Sequence, residues 1–129
     1  MQLQKTLAIR TNNFTDPQMA GKFKMLWSEA MVITPPNTTI YGVYSDYQSD
    51  YMGDYTMGIY DESQIARLHI SSTANYEIYS VNSSDEEGVL AMWRRIWEQE
   101  DLGKIKRAYT YDYERYDANG EITIHVAVL

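Results

Sequence analysis

Ile40-Tyr41-Gly42-Val43-Tyr44-Ser45-Asp46-Tyr47-Gln48-Ser49-Asp50-Tyr51-Met52-Gly53-Asp54-Tyr55-Thr56-Met57-Gly58-Ile59-Tyr60 is a pair of β-favouring runs separated by a short polar loop that contains a glycine. Aromatic and β-branched side chains suit a pleated, half-buried surface, whereas Gln, Ser, Asp and Gly mark a change of direction. The stretch therefore predicts a hairpin, with strands over residues 40–47 and 54–61 and a loop over 48–53.

Upstream of this hairpin, residues 6–10 read as a strand, and Asp16-Pro17 supplies a helix N-cap followed by a proline at the first helical position. Phe23, Leu26, Trp27, Ala30 and Met31 then recur at helical spacing until Pro35-Pro36 forbids continuation. Downstream, residues 66–70 and 76–81 read as strands. Ser84-Asp85-Glu86-Glu87 predicts a helix start with acids on the positive end of the helix dipole. Val89, Leu90, Met92, Trp93, Ile96 and Trp97 form one broad apolar face of that helix, which runs to about residue 100 before the stop at Gly103. The last hairpin joins residues 107–116 to 121–129 through Asp117-Ala118-Asn119-Gly120, and its second strand places Ile122, Ile124, Val126 and Val128 on one face.

Each half thus has the order strand, helix, strand, strand. The expected fold is α+β, with a mainly antiparallel sheet carrying two helices on one side, formed by residues 1–129 as one domain. A ligand site is expected on the opposite, free face of the sheet or in the groove between the halves.

Composition narrows the functions. The chain has 129 residues, no cysteine, and eleven Lys and Arg against 18 Asp and Glu, for a formal charge of −7. Missing thiols exclude disulfides and thiolate metal sites and are compatible with a reducing cytoplasm, the expected location. Excess acid argues against direct phosphate-backbone binding. The first residues lack a signal-type apolar core, and no run approaches the length of a membrane span. Two histidines, His69 and His125, stand outside any metalloprotease or nucleophile-elbow pattern, and Asp46, Asp50 and Asp54 lack the spacing of a calcium loop. Neither a metal nor a cofactor is expected. Twelve tyrosines interleaved with acids suit an amphipathic organic molecule carrying positive charge.

Four motifs carry a resemblance over nearly the whole chain: Ile40-Tyr41-Gly42-Val43-Tyr44-Ser45-Asp46-Tyr47, Gly53-Asp54-Tyr55-Thr56, Met92-Trp93-Arg94-Arg95-Ile96-Trp97 and Tyr113-Glu114-Arg115-Tyr116-Asp117. In this order and spacing the sequence resembles the gyrase-inhibitor-like, or AraC-type, effector-binding domains of bacterial transcription activators, including single-domain integron cassette proteins. The resemblance implies two pseudo-twofold-related strand, helix, strand, strand units and an aromatic pocket for drug-like cations balanced by a buried glutamate. Glu114 matches that glutamate, flanked by Tyr113 and Tyr116. The chain departs from the family at Ser71-Ser72-Thr73-Ala74-Asn75 and at Ala127, where relatives often carry proline or glycine.

Strand alternation puts Glu114 on one face with Asp112 and Tyr116, and Tyr111, Tyr113 and Arg115 on the other. The expected ligand contacts are Glu114 with Tyr41, Tyr44, Tyr55, Tyr109, Tyr111, Tyr116, Trp27, Trp93 and Trp97, although tyrosines here also suit sheet packing and the tryptophans also suit a core. Three functions follow as expectations. The first is non-catalytic capture of an amphipathic cation by a stand-alone protein. The second, which the resemblance also implies, is a hydrolase using Glu114 with Tyr55 or Tyr111. The third is docking of the acidic surface on a basic partner or a separately encoded regulator.

Overall fold

The computed structural model describes residues 8–35, 37–65 and 74–129. The elements run β1 (Ala8–Thr11), α1 (Met19–Ile33), β2 (Ile40–Ser45), β3 (Tyr55–Asp61), the single helical turn α2 (Glu62–Ile65), β4 (Asn75–Ser80), α3 (Gly88–Asp101), β5 (Asp112–Tyr116) and β6 (Ile122–Val128). All six strands form one sheet in the order β1-β3-β2-β5-β6-β4, and every pairing is antiparallel. The order is the same read from either edge in terms of the two repeats, so a pseudo-twofold relates β1-α1-β2-β3 to β4-α3-β5-β6, with β2 against β5 at the seam. The predicted strand over residues 66–70 lies outside the described residues.

Both long helices lie on the same face of the sheet, each over its own half. Leu26 and Ala30 of α1 pack on Ile40, Tyr55, Met57 and Ile59, whereas Trp93 and Ile96 of α3 pack on Ile124 and Val126. Burial of each such side chain contributes roughly 1.5–3 kcal/mol. Met31, expected on the inner face, is 65% exposed: the neighbouring Ala30 takes the inward position near the end of α1.

Both helices start later than their acidic signals predict. Asp16 accepts hydrogen bonds from the Gln18 N–H at 2.8 Å, from the Thr11 hydroxyl and from Lys22 Nζ, so it closes a turn and holds β1 to the helix instead of capping it. Ser84 to Glu87 are likewise turn, tied by Asn82 and Asp85 side chains to the Ser84 and Glu87 N–H groups. Gly88 then presses on the Asn82 carbonyl with no room for a Cβ. The far end of α3 behaves as the sequence predicts: Gly103 has φ +74, and Lys104 and Gly103 N–H groups return to the carbonyls of Gln99 and Glu100. The β5–β6 turn closes through Gly120 at φ +91.

The face of the sheet opposite the two long helices is covered over β2, in contrast to expectation, and stays open at β4, where Ile78 is 60% exposed. On β2, Tyr41 and Val43 are 7% and 1% exposed, and the Tyr41 hydroxyl donates to Glu62 Oε2 in α2 at 3.0 Å. Tyr113 stacks on His125 at 4.5 Å between ring centroids, with Tyr76 at its edge. No helix among the described residues is long and apolar enough to cross a membrane.

Candidate functional site

A cavity of about 520 Å³ opens between α1 and α3, over the seam of the sheet. Its walls are aromatic for a topological reason. Ile40, Gly42 and Tyr44 stand opposite Tyr116, Glu114 and Asp112 in the β2–β5 register, which puts all six on the helix side. Trp27 and Phe23 of α1 and Trp93, Trp97 and Val89 of α3 line the gap over this seam. The β2–β3 loop supplies Tyr47 and Tyr51 as a further wall.

At the floor lies Glu114, 2% exposed. Its Oε2 accepts from the Tyr44 hydroxyl and the Trp93 indole N–H, both at 2.6 Å, and its Oε1 accepts from the Tyr116 hydroxyl at 2.5 Å. None of the ion pairs among the described residues includes it. Burial raises its pKa, and the three donors oppose that rise without cancelling it. The same proximity pushes the Tyr44 and Tyr116 hydroxyls up, through burial first and the Glu114 charge second. Gly42 lies directly beneath this arrangement, where an added Cβ would displace only the flexible end of Met57. A Cβ there would meet the Met57 terminal methyl at 2.8 Å and sit 3.5 Å from both Glu114 Oε1 and the Trp27 ring.

Two residues away on the same face, Asp112 is fully buried and differently satisfied. It pairs with Arg107 Nη2 at 2.7 Å through Oδ2, which also accepts from the Tyr47 hydroxyl, while Oδ1 accepts from the Ala127 N–H at 2.8 Å. Arg107 lies over the rings of Tyr109 at 4.4 Å, Trp93 at 5.6 Å and Tyr47 at 5.9 Å. Burial works against the guanidinium's charge, but Asp112 with Tyr47 and Tyr109 outweighs it, and the Arg107 pKa rises. Tyr109 holds φ +55, an uncommon conformation for an aromatic residue, and donates its hydroxyl to Glu100, so its ring is fixed against the guanidinium.

Seven of the ten residues expected to form a site converge here: Glu114, Tyr44, Tyr55, Tyr116, Trp27, Trp93 and Trp97. Tyr41, Tyr109 and Tyr111 do not line the cavity. Tyr41 is odd in the β2 alternation that turns Tyr44 inward, and its ring meets Tyr113 on the other face. Tyr109 stands behind Arg107, engaged with Glu100. Tyr111 precedes β5, and its carbonyl receives the Tyr76 hydroxyl. The sequence reading missed Arg107, Tyr47, Tyr51 and Phe23. Phe23 was within reach, because it shares the Trp27 stripe of α1; the other three sit in loops, where no periodicity points inward.

A second cavity of about 540 Å³ lies beyond Trp27 and Tyr116, whose rings meet edge to face at 4.9 Å and belong to both walls. Neither Glu114 nor Arg107 lines it.

No family profile matches the chain, and no curated protein does. Among solved structures, an integron cassette protein from the mobile metagenome of Vibrio cholerae is similar in fold, with a TM-score of 0.71 and 24% identity over 95% of this chain and 86% of that one.

Proposed function

We propose that the protein is a non-catalytic receptor that captures an amphipathic, drug-like organic cation in the cavity between α1 and α3. Glu114 carries this reading. A carboxylate removed from water and held only by neutral donors keeps an uncompensated charge, which a positively charged guest balances. Aromatic faces around it add about 0.5–2 kcal/mol each where the cation is desolvated. The four sequence motifs resemble those of the gyrase-inhibitor-like effector-binding domains, and the fold shared with an integron cassette protein is compatible with that resemblance. We take its role to be that of a cytoplasmic sensor or sequestering protein acting without direct contact to nucleic acid.

A permanent lipophilic cation such as a triphenylphosphonium ion tests the proposal. It raises the melting temperature, whereas a neutral analogue of the same shape and an anionic one do not. Glu114→Gln lowers affinity for the cation about ten-fold or more, equivalent to at least ~1.4 kcal/mol. Equal affinity of the variant and the parent for the cation removes Glu114 from the site. Hydrolysis by the same pocket is the competing proposal; of the two tyrosines it names, Tyr55 lines the cavity with its hydroxyl donating to Asn13, and Tyr111 lies outside. Release of product from an ester-bearing cation, lost in Glu114→Gln, favours that reading instead.

A further inference from the structure

We propose that the Arg107 end of the cavity is a second subsite, one that takes a neutral hydrogen-bond acceptor, so that the guest carries a carbonyl, amide or ether oxygen set apart from its positive charge. The inference rests on the receptor reading above and specifies its ligand class.

Arg107 lines the same cavity as Glu114, with a side chain 2% exposed. Its Nε and Nη1 are buried and have no hydrogen-bond partner, although a guanidinium offers five donors in a fixed fork. Neither acid beside it makes a hydrogen bond to these two nitrogens. Asp112 already accepts from Nη2, the Tyr47 hydroxyl and the Ala127 N–H. Glu100 accepts the Tyr109 hydroxyl on both oxygens and stays 3.7 Å from Nη1, beyond hydrogen-bond reach. Unmade bonds of buried donors to this degree are uncommon in a folded protein, and they mark a place where an incoming acceptor gains more than it would from water.

Charge decides which acceptor. Two carboxylates, Asp112 and Glu100, surround one guanidinium, so nothing at this end attracts a further anion, and a carboxylate guest meets repulsion. Trp93 links the two ends: its indole N–H donates to Glu114 and its ring lies under Arg107. In the proposed pose a guest lies along that ring with its cation toward the acid and its oxygen toward the guanidinium, whose Nε and Nη1, sealed from solvent in this structure, are reached as the surrounding side chains yield.

The test compares affinities, by titration calorimetry, for pentyltriphenylphosphonium, its oxopentyl isomers with the ketone at successive chain positions, and the carboxybutyl analogue. At least one oxopentyl isomer binds about ten-fold tighter than the pentyl ion, and the carboxybutyl ion binds no tighter than the pentyl ion. In Arg107→Lys, which retains the charge opposite Asp112 but not the fork, the ketone's advantage over the pentyl ion disappears. Binding of the pentyl ion with no gain from any ketone overturns the subsite and leaves the receptor reading standing, as does a gain that survives Arg107→Lys. A tighter carboxybutyl ion overturns the neutral-acceptor assignment. Absence of binding by every phosphonium ion removes the receptor reading and the subsite together. The parent protein alone decides the first comparison, whatever the stability of the variant.

Discussion

Asp112 and Glu114 are two buried carboxylates on one face of one strand, two residues apart, yet their surroundings oppose each other. Asp112 is answered by a full positive charge, a backbone N–H and a tyrosine. Glu114 is answered by two tyrosines and an indole, all neutral. A buried ion pair broken on one side leaves the other charge stranded, whereas a carboxylate held by dipoles alone can change protonation state or take a guest. The first acid is held by an ion pair within the pocket wall; in the proposed receptor the second is the one that meets the guest.

That difference is broken most severely at Arg107. Arg107→Met leaves Asp112 buried without its cation and lowers stability by about 3–5 kcal/mol in urea unfolding, a large share of the total for a domain of this size. A loss no greater than that of Glu114→Gln erases the distinction between the two acids. A smaller effect is expected at Tyr44→Phe, which removes one donor from Glu114 and lowers stability by about 1.5–3 kcal/mol at neutral pH. The same variant leaves the Glu114 pKa higher still, so binding of a permanent cation then requires a more alkaline solution.

The subtlest effect is the pH dependence of stability. The Glu114 pKa is raised above its ordinary 4.5 by burial, so the folded state holds this proton more firmly than the unfolded chain does. Its contribution is therefore fully present at low pH and is lost as pH rises through the raised value. Cation binding runs the other way, strengthening over the same range as the carboxylate ionises. Glu114→Gln removes both trends. Its amide oxygen can keep the Tyr44 and Trp93 donors, and its N–H₂ can donate to a reversed Tyr116 hydroxyl. Melting curves across that range therefore show a flatter profile for the variant, and parallel profiles for both proteins refute the raised pKa.

Local rules carried the sequence reading a long way. Helical spacing before Pro35, the Asn119-Gly120 turn and the Gly103 stop each place an element close to where it stands, and the recurrence of one element order in both halves yields the α+β sheet with two helices on one side. Alternation along β5 separates Glu114 and Tyr116 from Tyr113 and Arg115 without any tertiary information. The same rule separates Tyr41 from Tyr44, three positions apart on β2, and should have kept Tyr41 out of the site. Arg107 and Tyr109 were beyond such rules. Arg107 touches the sheet only through an isolated bridge to Val128, and Tyr109 has a positive φ that no pattern of side chains announces. Asp112 and Arg107 meet because the loop between them folds back, which depends on the packing of Tyr47, Trp93 and Tyr109 as a set.

The seam between β2 and β5 gives the repeat a division of labour. Tyr44 and Gly42 come from the first unit, and Glu114, Trp93 and Tyr116 from the second. Neither unit alone encloses the cavity: the second supplies the acid and one aromatic wall, and the first supplies the wall facing it. Any molecule lodged at that carboxylate would touch both at once, and so would tie the two halves of the sheet together across their shared seam.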